Sequence, residues 1–397
     1  VPDLLVPKLK TLPPLSLYIH IPWCLKKCPY CDFNSHEIRG DGGQAPEDEY
    51  VAALIRDLES ALPNVWGRRL SSVFFGGGTP SLFSARAIDT LLTAVRTLLP
   101  LEPGAEVTLE ANPGTFEAQK FADFRKAGIN RLSIGVQSFN AKHLRALGRV
   151  HDDREAHRAV EIAQKNFDNI NLDLMYALPG QTLLEAQADI ETACAFGVPH
   201  LSVYHLTLEP NTFFHRYPPE LPDDDLANSM QEMIEQIAVN RQYRNYETSA
   251  FARTGKESRH NMNYWLFGDY LGIGAGAHSK ISFADKIVRQ MRYKQPREYL
   301  AKMQIAAAAP IQTQQELTPP DRCFEFMMNA LRLTGGFETA LFHERTGLPI
   351  AAIQKPLDEA ERRGLLVHDA FRIKPTILGK RFLNDLLQIF LPETSVR

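Results

Sequence analysis

Two hydrophobic periods alternate along the first half of the chain. Short runs rich in Val, Ile, Leu and Phe, at residues 17–21, 70–75, 106–110, 131–135, 170–174 and 201–205, have the length and composition of strands. Between the first two, Val51, Leu54, Ile55, Leu58 and Leu62 recur at helical spacing and form one apolar face. Ile88, Leu91, Leu92, Val95 and Leu99 repeat that stripe before the third run, and comparable helices fit residues 118–127, 153–165 and 183–196. Six strand–helix units in succession predict an α/β fold whose parallel strands form an open or partial (β/α)6 barrel.

In such folds the chemistry gathers at the carboxyl ends of the strands, because the loops that follow share one mouth. His20 and a cysteine segment follow the first strand, Gly76-Gly77-Gly78-Thr79-Pro80 the second, Glu110 and Asn112 end the third, Gln137 follows the fourth, and Asp173 lies in the fifth. Each alone reads equally as a strand or helix cap. From about Pro319 the pattern changes to three short amphipathic helices, a ribbon near residues 365–373 and a last helix near 380–390, an order that resembles a winged-helix module. The expected division is a barrel over residues 1–215, an extension over 216–317 and a mainly helical, winged-helix-like domain over 318–397. From Thr318 onward there are 11 basic and 10 acidic side chains, and a net of +1 is too weak a field for a DNA reader and favours docking or a lid. Apart from four alanines at 306–309, no repeat or low-complexity tract stands out.

A length of 397 residues accommodates one large domain and a smaller one. With 44% apolar and 23% charged residues, the composition excludes a disordered, collagen-like or disulfide-scaffold protein. A net charge of −3 offers no bulk attraction to nucleic acid or an anionic membrane. Five cysteines are too few, and odd in number, for a secreted disulfide framework, so the reducing cytoplasm is expected. Residues 1–14 hold prolines at 2, 7, 13 and 14 and no apolar run of an export signal, and no stretch of ~18 apolar residues could cross a bilayer.

Cys24, Cys28 and Cys31 form a C-x3-C-x2-C cluster, three of the five cysteines within eight residues. Thiolates hold iron–sulfur clusters, normally four to a cubane, so three leave one iron open to an outside ligand. A zinc site with His20 or His36 as fourth ligand competes with this reading, as does a purely structural role. The Gly76–Gly78 run lets backbone approach a ligand closely. It is no phosphate loop, since no Gly-Lys-Ser/Thr follows, and alone it reads first as a tight turn. Cys194 and Cys323 fall in predicted helices and read as small buried apolar residues.

The cysteine spacing, with Tyr30 inside it, resembles the radical S-adenosylmethionine superfamily, and the resemblance covers nearly the whole chain. It implies a 4Fe–4S cluster on Cys24, Cys28 and Cys31, with the open iron chelated by the amino and carboxylate groups of S-adenosylmethionine. Electron transfer in that superfamily can cleave the sulfonium to a 5′-deoxyadenosyl radical. Gly77, Gly78 and Thr79 match the element that binds the methionyl amino group. Tyr18-Ile-His20-Ile-Pro22, Glu110-Ala-Asn112-Pro113, Gly135-Val-Gln137-Ser-Phe139, Gly148-Arg149 and Asn171-Leu-Asp173-Leu-Met175 are similar to the branch of oxygen-independent coproporphyrinogen III oxidase. By that likeness Tyr18, Glu110, Gln137, Arg149 and Asp173 contact S-adenosylmethionine. Carboxylates would accept from ribose hydroxyls or an ammonium, and Arg149 would pair with the methionyl carboxylate.

The oxidase carries a fourth cysteine two positions after the third, where this chain has Phe33. His260-Asn261-Met262-Asn263-Tyr264-Trp265 instead matches the His-Asn-x-x-Tyr-Trp marker of relatives that act as heme chaperones. The likeness implies His260 as an axial heme ligand, with Tyr264 and Trp265 against the porphyrin face. His278, after the glycine-rich run 272–276, is the second candidate, and Tyr246-Glu247-Thr248-Ser249 fits the branch without an assignable role. Two functions follow. One is a carrier that binds heme and delivers it to heme proteins such as respiratory enzymes, with cluster and S-adenosylmethionine in a gating or assembly role and no catalytic residue assigned. The other is a coproporphyrinogen III oxidase or another radical enzyme acting on a tetrapyrrole. Phe33 favours the carrier, and a homodimer is a further expectation.

Overall fold

The structure, a computed structural model, describes residues 8–38, 45–115, 118–305 and 309–392. Three of the four alanines at 306–309 and the first seven residues of the proline-bearing terminus lie outside the described residues. Six parallel strands pair in chain order: β1 Leu15–Ile21, β2 Leu70–Gly77, β3 Leu101–Ala111, β4 Arg131–Gln137, β5 Ile170–Tyr176 and β6 His200–His205. Each expected strand lies inside an observed one. Helices Glu47–Val65, Ala85–Leu98, Ala118–Ala127, Asp153–Gln164 and Leu183–Ala195 make the crossovers.

The first of these helices buries Tyr50, Val51, Leu54, Leu58, Ala61 and Val65 in the main core. That three- and four-residue spacing is the stripe a sheet-facing helix needs, and each fully buried leucine contributes roughly 1.5–3 kcal/mol. Asp152 with Glu155, and Thr182 with Glu185, form reciprocal capping boxes that satisfy the first free N–H groups of two crossover helices.

Residues 216–317 extend the same sheet at both edges. β7 Arg244–Glu247 and β8 Ala250–Ala252 lie beyond β6, with β8 antiparallel to it. β9 Asp269–Ile273 pairs in parallel with β1, and β10 His278–Ser282, β11 Ile287–Arg292 and β12 Ile311–Glu316 follow antiparallel. The order β12-β11-β10-β9-β1-β2-β3-β4-β5-β6-β8-β7 leaves two edges, so the barrel is open.

Buried charge ties the added strands down. Asp57 accepts from Arg292 Nε at 3.0 Å, Tyr299 Oη at 2.9 Å and the Gly274 N–H at 3.0 Å. Asp269 accepts from Arg68 at 2.7 Å and from Lys280 at 2.8 Å. Ions this deep are tolerated only when paired and hydrogen-bonded.

The remaining residues supply most of a second core around Phe326, Phe337, Phe342, Leu357, Leu366 and Ile373, which Leu9, Phe267, Ile287 and Leu317 join, with a three-stranded sheet of Phe337–Glu338, Arg372–Pro375 and Leu366–His368. The helix expected near 380–390 is instead two pieces, Ile377–Arg381 and Leu383–Gln388, broken at Phe382. Thr376 caps the first piece, while burial of Leu386 draws the second into this core on a different line. Among the described residues, no helix is long and apolar enough to cross a membrane.

Candidate functional site

A cavity of about 330 Å³ opens at the carboxyl ends of the barrel strands. Cys24, Cys28 and Cys31 line it from the loop after β1; Gly77, Gly78 and Thr79 from the end of β2; Glu110 from β3 and Asn112 just after it; Gln137 and Asp173 from β4 and β5; and Arg149 from the connection between helices Ala141–Ala146 and Asp153–Gln164. Of the residues expected to hold cofactors, Tyr18 and His260 lie elsewhere. The thiols are unpaired. Cys24 accepts from Thr79 Oγ1 and Cys28 from Arg149 Nη1, and Cys31 Sγ contacts Ser35 Oγ, each at 3.6 Å. Burial pushes the Cys24 and Cys31 thiols above their ordinary range, a penalty on the thiolate that a bound cation would offset.

Among the described residues, no three His, Cys, Asp or Glu side chains converge as donors to a single ion. Both ring nitrogens of His20 are engaged, with Tyr18 Oη at 3.1 Å and the Asn34 carbonyl at 2.9 Å, and His36 Nε2 meets Asn34 Oδ1 at 3.2 Å. Neither histidine is gathered with the three thiols into one donor set among the described residues. Thiols standing apart suit a cluster, in which each binds its own iron.

The glycine run owes its composition to the protein as much as to any ligand. Gly77 has φ +118°, and a Cβ there would stand 2.6 Å from the His20 ring. Its N–H donates to Glu110 Oε2 at 3.2 Å, while those of Gly78 and Thr79 donate to the Ile21 and Trp23 carbonyls, both at 2.8 Å. With these donors engaged, a ligand meets acceptors here.

Arg149 Nη2 donates to Asn112 Oδ1 and to the Gly135 carbonyl, both at 2.7 Å, while its Nε is buried without a partner. Asn112 Nδ2 continues to Thr79 Oγ1 at 2.9 Å. The sequence marks Asn112 as a strand-end residue and as part of the Glu110-Ala-Asn112-Pro113 match, without assigning it a contact. Gln137 has φ +69°, where the register of β4 on β5 slips. A left-handed non-glycine residue costs roughly 1–3 kcal/mol, and a bulge of this kind re-aims the side chain.

Asp173 accepts from Ser133 Oγ at 2.9 Å and Asn171 Nδ2 at 2.8 Å. Burial raises its pKa, and burial together with the Asp173 charge pushes Glu110 up to about 8. A wall with two such carboxyl groups is complementary to a cation.

A second cavity, of about 580 Å³, abuts the first and shares Cys31, Phe33, Gly77 and Glu110 with it. Tyr18 lines this cavity, as do Tyr264 and His278. Phe33, at the position of the oxidase's fourth cysteine, is 62% exposed on the rim of both.

His260 is buried at the far end of the barrel. Its Nδ1 meets Ser72 Oγ at 2.9 Å, its ring stacks on Phe74 at 4.8 Å, and its Nε2 is buried without a partner. Burial lowers its pKa to about 3. The expected axial ligand His260 lines neither of the two cavities, and its Nε2 carries no hydrogen bond. The helix Arg259–Trp265 plugs the barrel because His260 and Asn263 satisfy the buried hydroxyls of Ser72 and Ser16, the latter at 2.9 Å from Asn263 Nδ2. Trp265 is also turned away, beneath the Arg332 guanidinium at 4.4 Å.

The radical SAM superfamily is matched over residues 18–193 and the HemN C-terminal domain over residues 317–382. The chain is 47% identical over 384 residues to heme chaperone HemW of Escherichia coli (strain K12), covering 96% of this chain and 99% of that one. Heme chaperone HemW of Haemophilus influenzae is 45% identical over 388 residues, with the same coverage of 96% and 99%. Heme chaperone HemW of Bacillus subtilis is 34% identical over 385 residues, covering 95% and 99%. The solved structure of coproporphyrinogen III oxidase (HemN) from Escherichia coli, a radical SAM enzyme, superposes with a TM-score of 0.80 at 24% identity, covering 96% of this chain and 90% of that one, and shares the fold. With likeness of this extent running through barrel and C-terminal domain alike, the chain belongs to the HemW family of the radical SAM superfamily.

Proposed function

We propose that the protein is a heme chaperone, which holds heme and passes it to heme proteins such as respiratory enzymes. A 4Fe–4S cluster on Cys24, Cys28 and Cys31, with S-adenosylmethionine beside it, would occupy the strand-end cavity. The observation that carries this reading is the convergence of the Cys24, Cys28 and Cys31 thiols, the Glu110 and Asp173 carboxyl groups and the Arg149 guanidinium on one space. The residues fit the groups. A sulfonium and an ammonium would supply a positive charge for Glu110 and Asp173 to face, and Arg149, with its unpartnered Nε, suits a carboxylate. The Gly77–Thr79 segment, its N–H groups engaged, has acceptor oxygens to offer an ammonium. When bound, cluster and S-adenosylmethionine supply one-electron chemistry, while the chain's own residues bind, orient and shield them. With its cysteines unpaired, we place the protein in the reducing cytoplasm.

Phe33 argues against the oxidase, because a phenyl ring stands where that enzyme carries a thiol. Anaerobically reconstituted protein, given reductant and S-adenosylmethionine, is expected to leave coproporphyrinogen III unchanged by chromatography and to shift the Soret band of added heme. Conversion to protoporphyrinogen IX would replace the chaperone reading with the oxidase, and a flat heme titration would remove heme as cargo.

A further inference from the structure

We propose that the heme cargo sits in the second cavity with His278 as its axial ligand and with Lys27 and Lys294 facing its propionates, an assignment that rests on the heme-chaperone reading. The cavity of about 580 Å³ lies within the ~300–1,000 Å³ usual for small-molecule sites. Heme asks three things of a site: a neutral imidazole for the iron, flat apolar or aromatic contact for the ring, and cations for two carboxylates.

Three imidazoles line the cavity, those of His20, His36 and His278. Both nitrogens of His20 are hydrogen-bonded, and His36 is held on Asn34 through Nε2. His278 is exposed, and among the described residues neither of its nitrogens carries a hydrogen bond. It is the first residue of β10, opposite Met291 of β11, so a strand sets its position. The turn before it is anchored by the Gly274 N–H on Asp57 at 3.0 Å, by the Ala275 N–H on Tyr50 Oη at 2.8 Å, and by Asn34 Nδ2 on the Ala275 carbonyl at 2.9 Å. Partial burial, with the charges of Arg289 and Lys294, lowers its proton affinity and favours the neutral form that binds metal.

Tyr264 contributes the aromatic wall, its ring 4.2 Å from that of Tyr270. The hexapeptide that carries His260 thus reaches the cavity through its tyrosine. Among the described residues Lys27 Nζ donates to the Phe33 and Ser35 carbonyls and neither Lys27 nor Lys294 has a carboxylate partner, although Asp32 also lines the cavity.

The test is a heme titration of the full-length, cluster-reconstituted protein and its variants. His278→Ala should weaken binding more than tenfold, about 1.4 kcal/mol, or abolish the Soret shift, with cluster absorbance unchanged. As an exposed position, it should leave the far-ultraviolet circular dichroism of the parent intact. The double variant Lys27→Ala, Lys294→Ala should lose affinity for heme and not for heme dimethyl ester, which lacks the propionate charges. Parent-like heme binding by His278→Ala would overturn the assignment. Loss of binding in His260→Ala with fold and cluster retained, alongside normal binding in His278→Ala, would move the ligand to His260. If the parent itself gives no Soret shift, the chaperone reading fails rather than the choice of cavity.

Discussion

Glu110 carries two burdens that a carboxylate in water does not, lost hydration and the field of Asp173, against one N–H donated by Gly77. The folded chain keeps its proton to about pH 8, whereas a carboxyl at the ordinary value of 4.5 releases it far earlier. Between those values the folded state binds more protons, so its stability falls as pH rises. Glu110→Gln removes this dependence. Its gain in stability over the cofactor-free parent, measured by urea denaturation, is expected to vanish below pH 4.5 and to grow toward pH 8. A gain independent of pH would show that Glu110 titrates normally. At Asp173 the same wall predicts a binding effect. Asp173→Ala should weaken S-adenosylmethionine binding by ~1–3 kcal/mol, because Ser133 and Asn171 lose an acceptor and the ligand loses a counter-charge; parent-like affinity by calorimetry would take Asp173 out of the site.

Between elements, hydrogen bonds link that wall to the helix Arg259–Trp265. Asn171 Nδ2 donates to Asp173 at 2.8 Å, its Oδ1 meets His200 Nδ1 at 2.6 Å, and His200 Nε2 meets Tyr246 Oη at 2.8 Å. Tyr246 in turn accepts from the N–H of Ser258, the helix N-cap, at 3.3 Å. The segment Tyr246-Glu247-Thr248-Ser249, legible in the sequence only as a match, gains a structural part here. Its next residue, Glu247, pairs with Arg332 at 3.1 Å and reaches the C-terminal domain. Tyr246→Phe leaves His200 Nε2 and the Ser258 N–H buried and unpaired. It should destabilise the protein by roughly 1–3 kcal/mol and speed amide exchange over residues 259–265. Unchanged exchange there would mean that the cap holds without the tyrosine.

For the whole molecule, Asp269 is a junction between barrel and extension. It joins Arg68, which precedes β2, to Lys280 and Ser282 of β10, and Lys280 is 1% exposed. Asp269→Ala strands a buried ammonium, which typically costs about 3–5 kcal/mol. The expected result is a large fall in the guanidinium chloride midpoint, and a loss below about 1 kcal/mol would mean that water relieves Lys280.

The barrel order was legible because local periods encode it. Parallel strands are buried on both faces and read as continuous apolar runs, while each crossover helix shows one stripe. The lining of the first cavity was legible for a related reason, since parallel connections bring every strand's carboxyl end to the same side, so Cys24, Glu110, Gln137 and Asp173 had to meet once the strands were placed. Tertiary structure alone decided which histidine faces a cavity. His260 and Tyr264 share one short helix, yet the first is drawn inward to Ser72, 188 residues away in sequence, and the second turns to the cavity beside Tyr270. The same holds for Asp57 and Arg292, paired across 235 positions. A buried polar group takes its partner from whichever chain segment the fold brings within about 3 Å, and no local period records that choice.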